Sequence, residues 1–216
     1  MDARPAGKGG AQAKRNPEAT RALILAAARA EFGEKGLDGG RVDRIAQRAG
    51  ANKQLVYYYF GSKDELYKAA LEATYAEIRA LERELDLTAL PPREAMTRLI
   101  DFSLDYLDEH RDFIRMLADE NAHGARHVRG SEMALRTNSP LLELIAATLR
   151  KGAEEGVFRA GVDPLELYVS IAGMTFFYFA NGLTMSAIFG RDLTHPKSVH
   201  SYRKHIVDLT LAGLRP

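Results

Sequence analysis

The chain has no cysteine. That excludes disulfides, thiolate zinc sites and cysteine nucleophiles, and it fits a reducing cytoplasm. The opening stretch, MDARPAGKGGAQAKRNPE, has no apolar core, so no secretory signal is expected there. No segment alternates apolar and polar residues in the manner of a half-buried strand, and no internal repeat is visible. A phosphate-cradling loop and a Gly-x-Ser-x-Gly elbow are both missing. What is left is a helical pattern almost to the C-terminus, in a chain of 216 residues that is long enough for a sizeable core.

Charge is scarce in sum but uneven in place. The formal net charge is +1. Residues 1–63 hold 12 Lys/Arg against 6 Asp/Glu, and residues 64–216 hold 18 against 23. A first third at +6 joined to a remainder at −5 points to a polyanion as the partner of the first third. Residues 1–15 are mostly Gly, Ala, Lys and Arg, which predicts a disordered basic arm bearing Arg4, Lys8, Lys14 and Arg15.

Helix signals begin at Asn16-Pro17, a cap followed by a proline suited to the first turn. Leu23, Ala27, Ala30 and Phe32, with Ile24 and Ala28, recur at helical spacing, and Gly33 and Gly36 are expected to end that helix. Val42, Ile45, Ala46 and Ala49 form the next stripe, broken by Gly50. Asn52 can then cap a short helix from Lys53. Two short helices about a glycine turn make a helix-turn-helix, which needs the first helix to pack against. Ser62-Lys63-Asp64-Glu65 is a capping box opening a long helix through Leu66, Ala70, Ile78 and Leu81. Further starts are expected at Ser139-Pro140 and at Asp163-Pro164-Leu165-Glu166. The fold class is all-α.

TRALILAAARAEFGEKG followed by VDRIAQRAGANKQLVYYYFGSKDELY resembles the DNA-binding domain of TetR-family bacterial transcription regulators. The likeness rests on Ile24, Ala27, Ala28, Phe32, Gly36, Val42, Ile45, Ala46, Ala49, Gly50, Tyr57, Phe60, Ser62, Lys63 and Leu66. It implies a DNA-binding domain over 16–62, a helical ligand-binding and dimerisation domain over 63–216, and about nine helices in all. It also implies a cytoplasmic homodimer, not an enzyme and without a cofactor, released from a palindromic operator by a small-molecule effector. The overall layout, including the GLRP ending, is similar to pyrimidine-responsive members.

The quartet YYYF, 57–60, then divides. Helical geometry puts Val56 and Phe60 on the packed face and turns Tyr57 and Tyr58 outward, with Tyr59 between them. By resemblance, Tyr57 and Tyr58 contact DNA, and Lys63 contacts a phosphate. Asn52, Lys53, Gln54 and Leu55 open the recognition helix. There Gln54 suits adenine, Lys53 suits guanine or a phosphate, and Leu55 suits a thymine methyl. The family pattern departs at Gly40-Arg41, where small hydroxyl residues are usual. Arg41 is expected to substitute a charged phosphate contact, with Gly40 as a weak cap.

In the larger part, Phe102, Tyr106, Met116, Asn121, His123, Phe177 and Asn181 are the ligand-binding candidates, and Phe113, Met133, Phe158, Met174 and Phe176 are further apolar ones. Residues 167–190 hold no charge, long enough for a membrane span, although Ser170, Thr175, Asn181, Thr184 and Ser186 weaken that reading. The resemblance assigns them to a dimer helix, with Ile206, Leu209, Thr210 and Gly213 of a last helix joining the same bundle. Glu120-x-x-His123, with His127 four residues on, is half of a di-iron pattern and has no second copy. Two alternatives to a regulator therefore stay open: an all-α metal enzyme using Glu120, His123 and His127, and a membrane-associated helical protein.

Overall fold

A computed structural model describes residues 16–129 and 131–216, with residues 133–139 described by their backbone only. The basic arm and the Met133 side chain lie outside the described residues. The described residues form nine α-helices and one short 3-10 turn: α1 Pro17–Gly39, α2 Val42–Arg48, α3 Lys53–Phe60, α4 Lys63–Glu84, the turn Leu87–Ala89, α5 Pro92–Glu109, α6 Arg111–Ala122, α7 Glu132–Glu154, α8 Pro164–Phe189 and α9 Pro196–Gly213.

Most starts are set by a side chain that accepts an otherwise orphaned N–H. Asn16 Oδ1 accepts from Glu18 N at 3.0 Å, Asn52 Oδ1 from Leu55 N at 2.8 Å and Ser62 Oγ from Glu65 N at 3.1 Å. Asp163 Oδ1 accepts from Leu165 N at 2.8 Å and Glu166 N at 2.9 Å. The second helix is the exception. Its cap is Arg41 rather than Gly40, and no side chain of its own satisfies it. A carboxylate from the first helix substitutes: buried Glu31 accepts the Arg41 N–H at 3.2 Å.

Three expectations are corrected. First, α1 does not end at Gly33. It runs to Gly39 with a break at Gly36, where φ is +66° and glycine carries no Cβ penalty. Gly33 is instead a contact point. A Cβ there would stand 2.6 Å from Asp112 Cβ on α6, so only a glycine lets these two backbones meet. Second, the α1 core residues are Ile24, Ala27, Ala28 and Phe32, while Leu23 faces solvent. The apolar stripe was wider than the buried face. Third, α7 starts at Glu132, and Pro140 lies inside it.

Two cores form. One gathers Phe32, Ile45, Val56, Phe60, Leu66 and Tyr67 among others from α1–α4, and it also takes in Met116 from α6. Phe32 and Tyr67 meet edge to face at 5.1 Å, each contributing about 1.5–3 kcal/mol by burial. The other core spans α4 to α9 and includes Ile78, Leu99, Leu104, Phe113, Ile145 and Ile206. The division falls within α4, between Leu71 and Ile78, rather than at the loop before it.

Candidate nucleic-acid interface and effector cavity

The third helix presents its residues as the sequence periodicity predicts. Val56 and Phe60 are buried. Tyr57 is 39% exposed and Tyr58 81% exposed, while Tyr59 packs partly against the N-terminal core. Lys53 and Gln54 are exposed at the helix's first turn, and Leu55 is half-buried. Asn52 is exposed too, but its amide oxygen is committed to the cap.

The cations around this helix differ in availability. Lys53 Nζ donates to Asp43 Oδ2 at 3.1 Å across an exposed pair. Such a pair is worth about 0–1 kcal/mol, so a phosphate or base acceptor can take the ammonium over at little cost. Lys63 Nζ donates to the Asp38 carbonyl at 3.1 Å. Arg48 is bound to Glu34 at 3.0 Å and lies 3.8 Å from Glu31. Among the described residues, none pairs with the guanidinium of Arg41 or of Arg44, and both are exposed. Arg44 is a cation the sequence reading passed over. Its signal was its place one turn after Arg41 on the polar side of α2.

The N-terminus of α4 is less open to a phosphate than its position suggests. Ser62 already occupies the Glu65 N–H, and Asp64 and Glu65 place negative charge in the first turn. Asp64 is partly offset from behind by Arg126 at 3.2 Å, and His127 Nε2 lies 3.3 Å from it.

A polar seam joins this unit to α6. Asp119 Oδ2 accepts the Leu37 N–H at 2.9 Å, just after the break at Gly36. The Tyr67 hydroxyl lies 3.1 Å from that same oxygen and 3.1 Å from the Met116 carbonyl oxygen. Burial, and then the Asp119 carboxylate, push the Tyr67 phenol far up, so it stays protonated as a donor. Arg29 of α1 pairs with Glu77 of α4 and lies 3.7 Å from Asp112 of α6.

Glu120, His123 and His127 do not converge. Glu120 Oε1 accepts the backbone N–H of His127 at 2.7 Å and of Val128 at 3.1 Å, and Oε2 lies 2.7 Å from His127 Nδ1. His123 turns the other way, with Nδ1 2.8 Å from the Asp119 carbonyl and Nε2 3.4 Å from Asp38. The Asp119 carbonyl first, and Asp38 second, hold the imidazolium form of His123 and raise its pKa. Among the described residues, no group of three His, Cys, Asp or Glu side chains is arranged to hold a metal ion.

A cavity of about 570 Å³ opens between α4, α5, α6 and α8. Tyr75, Ile78, Arg79 and Glu82 line it from α4, Phe113, Leu117 and Asn121 from α6, and Tyr168, Thr175 and Phe176 from α8. Of the ligand-binding candidates from the sequence, Asn121 lines it, as do Phe113 and Phe176 of the wider apolar set. Tyr106 is buried in the larger core, stacked 4.0 Å from His110. Phe102 packs at the margin of that core, and Met116 is buried in the N-terminal one. His123 belongs to the seam. Phe177 is 53% exposed on the outer side of α8, and Asn181 donates to the Phe177 carbonyl at 3.1 Å. Arg79, Glu82 and Tyr168 were missed. Their signal was in the pattern, because 75, 78, 79 and 82 form a helical core stripe whose last two places hold charges.

The outer face of α8 is apolar. Leu165, Val169, Phe177, Leu183, Ile188 and Phe189 are all exposed, as is Leu209 of α9. Ile206 and Thr210, expected in the same bundle, are buried within the chain's own core region. This helix is long and apolar enough to cross a membrane, by length and composition.

Residues 24–70 match the profile of bacterial regulatory proteins of the tetR family, and residues 92–210 match the tetracyclin repressor-like C-terminal domain. The chain is 34% identical over 196 residues to the HTH-type transcriptional repressor NicS of Pseudomonas putida, covering 91% of this chain and 92% of that one. It is 43% identical over 179 residues to the HTH-type transcriptional repressor SCO4008 of Streptomyces coelicolor, covering 75% and 79%. The fold is shared with the solved ketosteroid transcriptional regulator KstR2 of Mycobacterium tuberculosis, at a TM-score of 0.65, 23% identity and coverage of 91% and 95%.

Proposed function

This chain belongs to the tetR family of bacterial regulatory proteins and is a DNA-binding transcription regulator, and from that premise we propose a homodimeric repressor that a small molecule releases from an inverted-repeat operator. The observation that carries the reading is the partition of α3. Val56 and Phe60 are buried while Lys53, Gln54, Tyr57 and Tyr58 are exposed. In this reading Gln54 and Lys53 meet base edges and Leu55 meets a thymine methyl. Tyr57, Tyr58, Lys63, Arg41 and Arg44 meet the backbone, and Asn52 holds the start of the helix.

A second copy of the chain covers the apolar face of α8 and α9. Two modules on a two-fold axis then read half-sites about 34–36 Å apart. The protein acts in the cytoplasm, where its operator is.

The 570 Å³ cavity is the effector site. Its walls include α4 and α6, and both helices also enter the N-terminal core, through Leu66 and Tyr67 on α4 and Met116 on α6. An effector that prefers a different spacing of those helices moves the DNA-binding unit with them, to the extent of that preference.

The test is selection of bound duplexes from a random pool at low and near-physiological salt. The reading expects an enriched inverted repeat that survives the higher salt. Binding without enrichment that vanishes as salt rises would leave only non-specific phosphate contacts and would defeat it.

A further inference from the structure

The cavity wall contains one unfinished polar group. Arg79 is 4% exposed. Its Nη1 is paired with Glu82, and its Nη2 donates to the Tyr168 hydroxyl at 2.9 Å, with the guanidinium 5.6 Å from the Tyr168 ring. Its Nε is buried and has no partner among the described residues. The Tyr168 hydroxyl accepts from Arg79, and no described residue accepts its own proton in return. Arg79 and Tyr168 both line one cavity, and around them stand Tyr75, Ile78, Phe113 and Phe176. A buried charged donor left without an acceptor is costly, and an oxygen brought by what occupies the space relieves that cost.

We propose that this cavity binds an apolar monocarboxylate, its carboxylate seated on Arg79 and the Tyr168 hydroxyl and its body among the aromatic side chains. The proposal rests on the cavity being the effector site. A carboxylate has two oxygens for two donors, and an arginine is the side chain best matched to it. A neutral carbonyl would satisfy one donor and leave the other. A cationic ligand would have to set its charge beside a guanidinium that is nearly dry. The charge balance also closes. Burial outweighs the adjacent Arg79 and pushes the Glu82 carboxyl up to about 7. When an anion enters, Glu82 takes up a proton, and Arg79 is left with one negative partner instead of two.

The experiment is calorimetric and thermal-shift titration of the purified protein, without DNA. The probes are matched pairs: 2-naphthoate and 2-naphthamide, indole-3-acetate and indole-3-acetamide, octanoate and octanamide, together with 2-naphthylmethylamine as the cation. Expected is binding of at least one carboxylate, with its amide about 10- to 100-fold weaker. At pH 8, titration in two buffers of different ionisation enthalpy should show protons taken up on binding, and Glu82→Gln should abolish that uptake while carboxylate binding persists. The double variant Arg79→Met with Glu82→Gln removes both charges together and should erase the preference for carboxylate over amide. Tyr168→Phe, which keeps the ion pair, should weaken the carboxylate about tenfold and is the check if the double variant does not fold. Amides binding as tightly as acids, preference for the amine, or no carboxylate binding at all would overturn the proposal. An operator bound normally with no carboxylate response defeats this inference alone. A carboxylate-binding cavity with no enriched operator defeats the repressor reading instead.

Discussion

Removing the Asp119 carboxylate should loosen the DNA-binding unit from α6 by a calculable amount. Two bonds are at stake. The Leu37 N–H, buried just past the Gly36 break, donates to Oδ2 at 2.9 Å. The Tyr67 hydroxyl lies 3.1 Å from the same oxygen but keeps the Met116 carbonyl as an alternative. In Asp119→Ala the first donor is stranded, at about 1–3 kcal/mol, and the second loses about 1 kcal/mol. The sum is about 2–4 kcal/mol, a fall in melting temperature of roughly 5–15 °C for a chain of this size. Asp119→Asn keeps an acceptor oxygen and loses only the charge, so about 1 kcal/mol is expected. The assay is thermal unfolding by circular dichroism at fixed protein concentration, because association shifts the midpoint. Operator affinity measured in parallel should fall in the same order, alanine more than asparagine. If both variants melt with the wild type, the seam carries no load and the reasoning is wrong.

Tyr57→Phe and Lys63→Ala should weaken binding to every duplex by similar factors, whereas Gln54→Ala should relax preference at one position of the half-site; a uniform loss in competition assays would remove Gln54 from the base readers. Leu183→Asp on the exposed face of α8 should give a monomer by light scattering that is folded but fails to hold the inverted repeat; a dimeric variant would place the two-fold interface elsewhere. Glu82 gives a pH signature: its carboxyl is raised from 4.5 to about 7, so the native state holds the extra proton between those values. Stability should therefore fall as pH rises through that window, by on the order of 3 kcal/mol from this group, and stay level above it. Glu82→Gln should flatten that part of the curve in chemical denaturation, and an unchanged slope would show that Arg79 keeps the carboxylate charged.

Local physics made much of this molecule readable. Caps at Asn16, Asn52, Ser62 and Asp163 depend on a side chain and an N–H two or three residues away, so sequence order contains the whole interaction. The inward and outward rings of YYYF follow from helical pitch alone. Contacts between distant segments were not readable. Gly33 looks like a helix stop, but its reason is Asp112, a residue of another helix. The missing cap of α2 is supplied by Glu31, ten residues back, in the preceding helix. Of the ligand-site candidates chosen for size and polarity, Asn121, Phe113 and Phe176 line the cavity while others went to both cores, the seam and the outer face of α8, because a cavity is defined by what several helices fail to fill. The two charges in the α4 stripe were the better guide.

The shared ownership of α4 has a consequence for anyone who would recombine this protein. A splice at the loop before α4 cuts the chain where it is easy but not where the cores divide. The DNA-reading half would arrive without Leu66, Tyr67, Ala70 and Leu71, and without Met116 from further on. A chimera carrying a foreign effector half must also preserve the flat landing at Gly33 and the acceptor opposite Leu37. The unit of inheritance here is thus not a domain but a domain together with the docking strip of its neighbour. Biosensors assembled from interchangeable halves should work where that strip is matched and fail to transmit where it is not, even when both halves fold and bind.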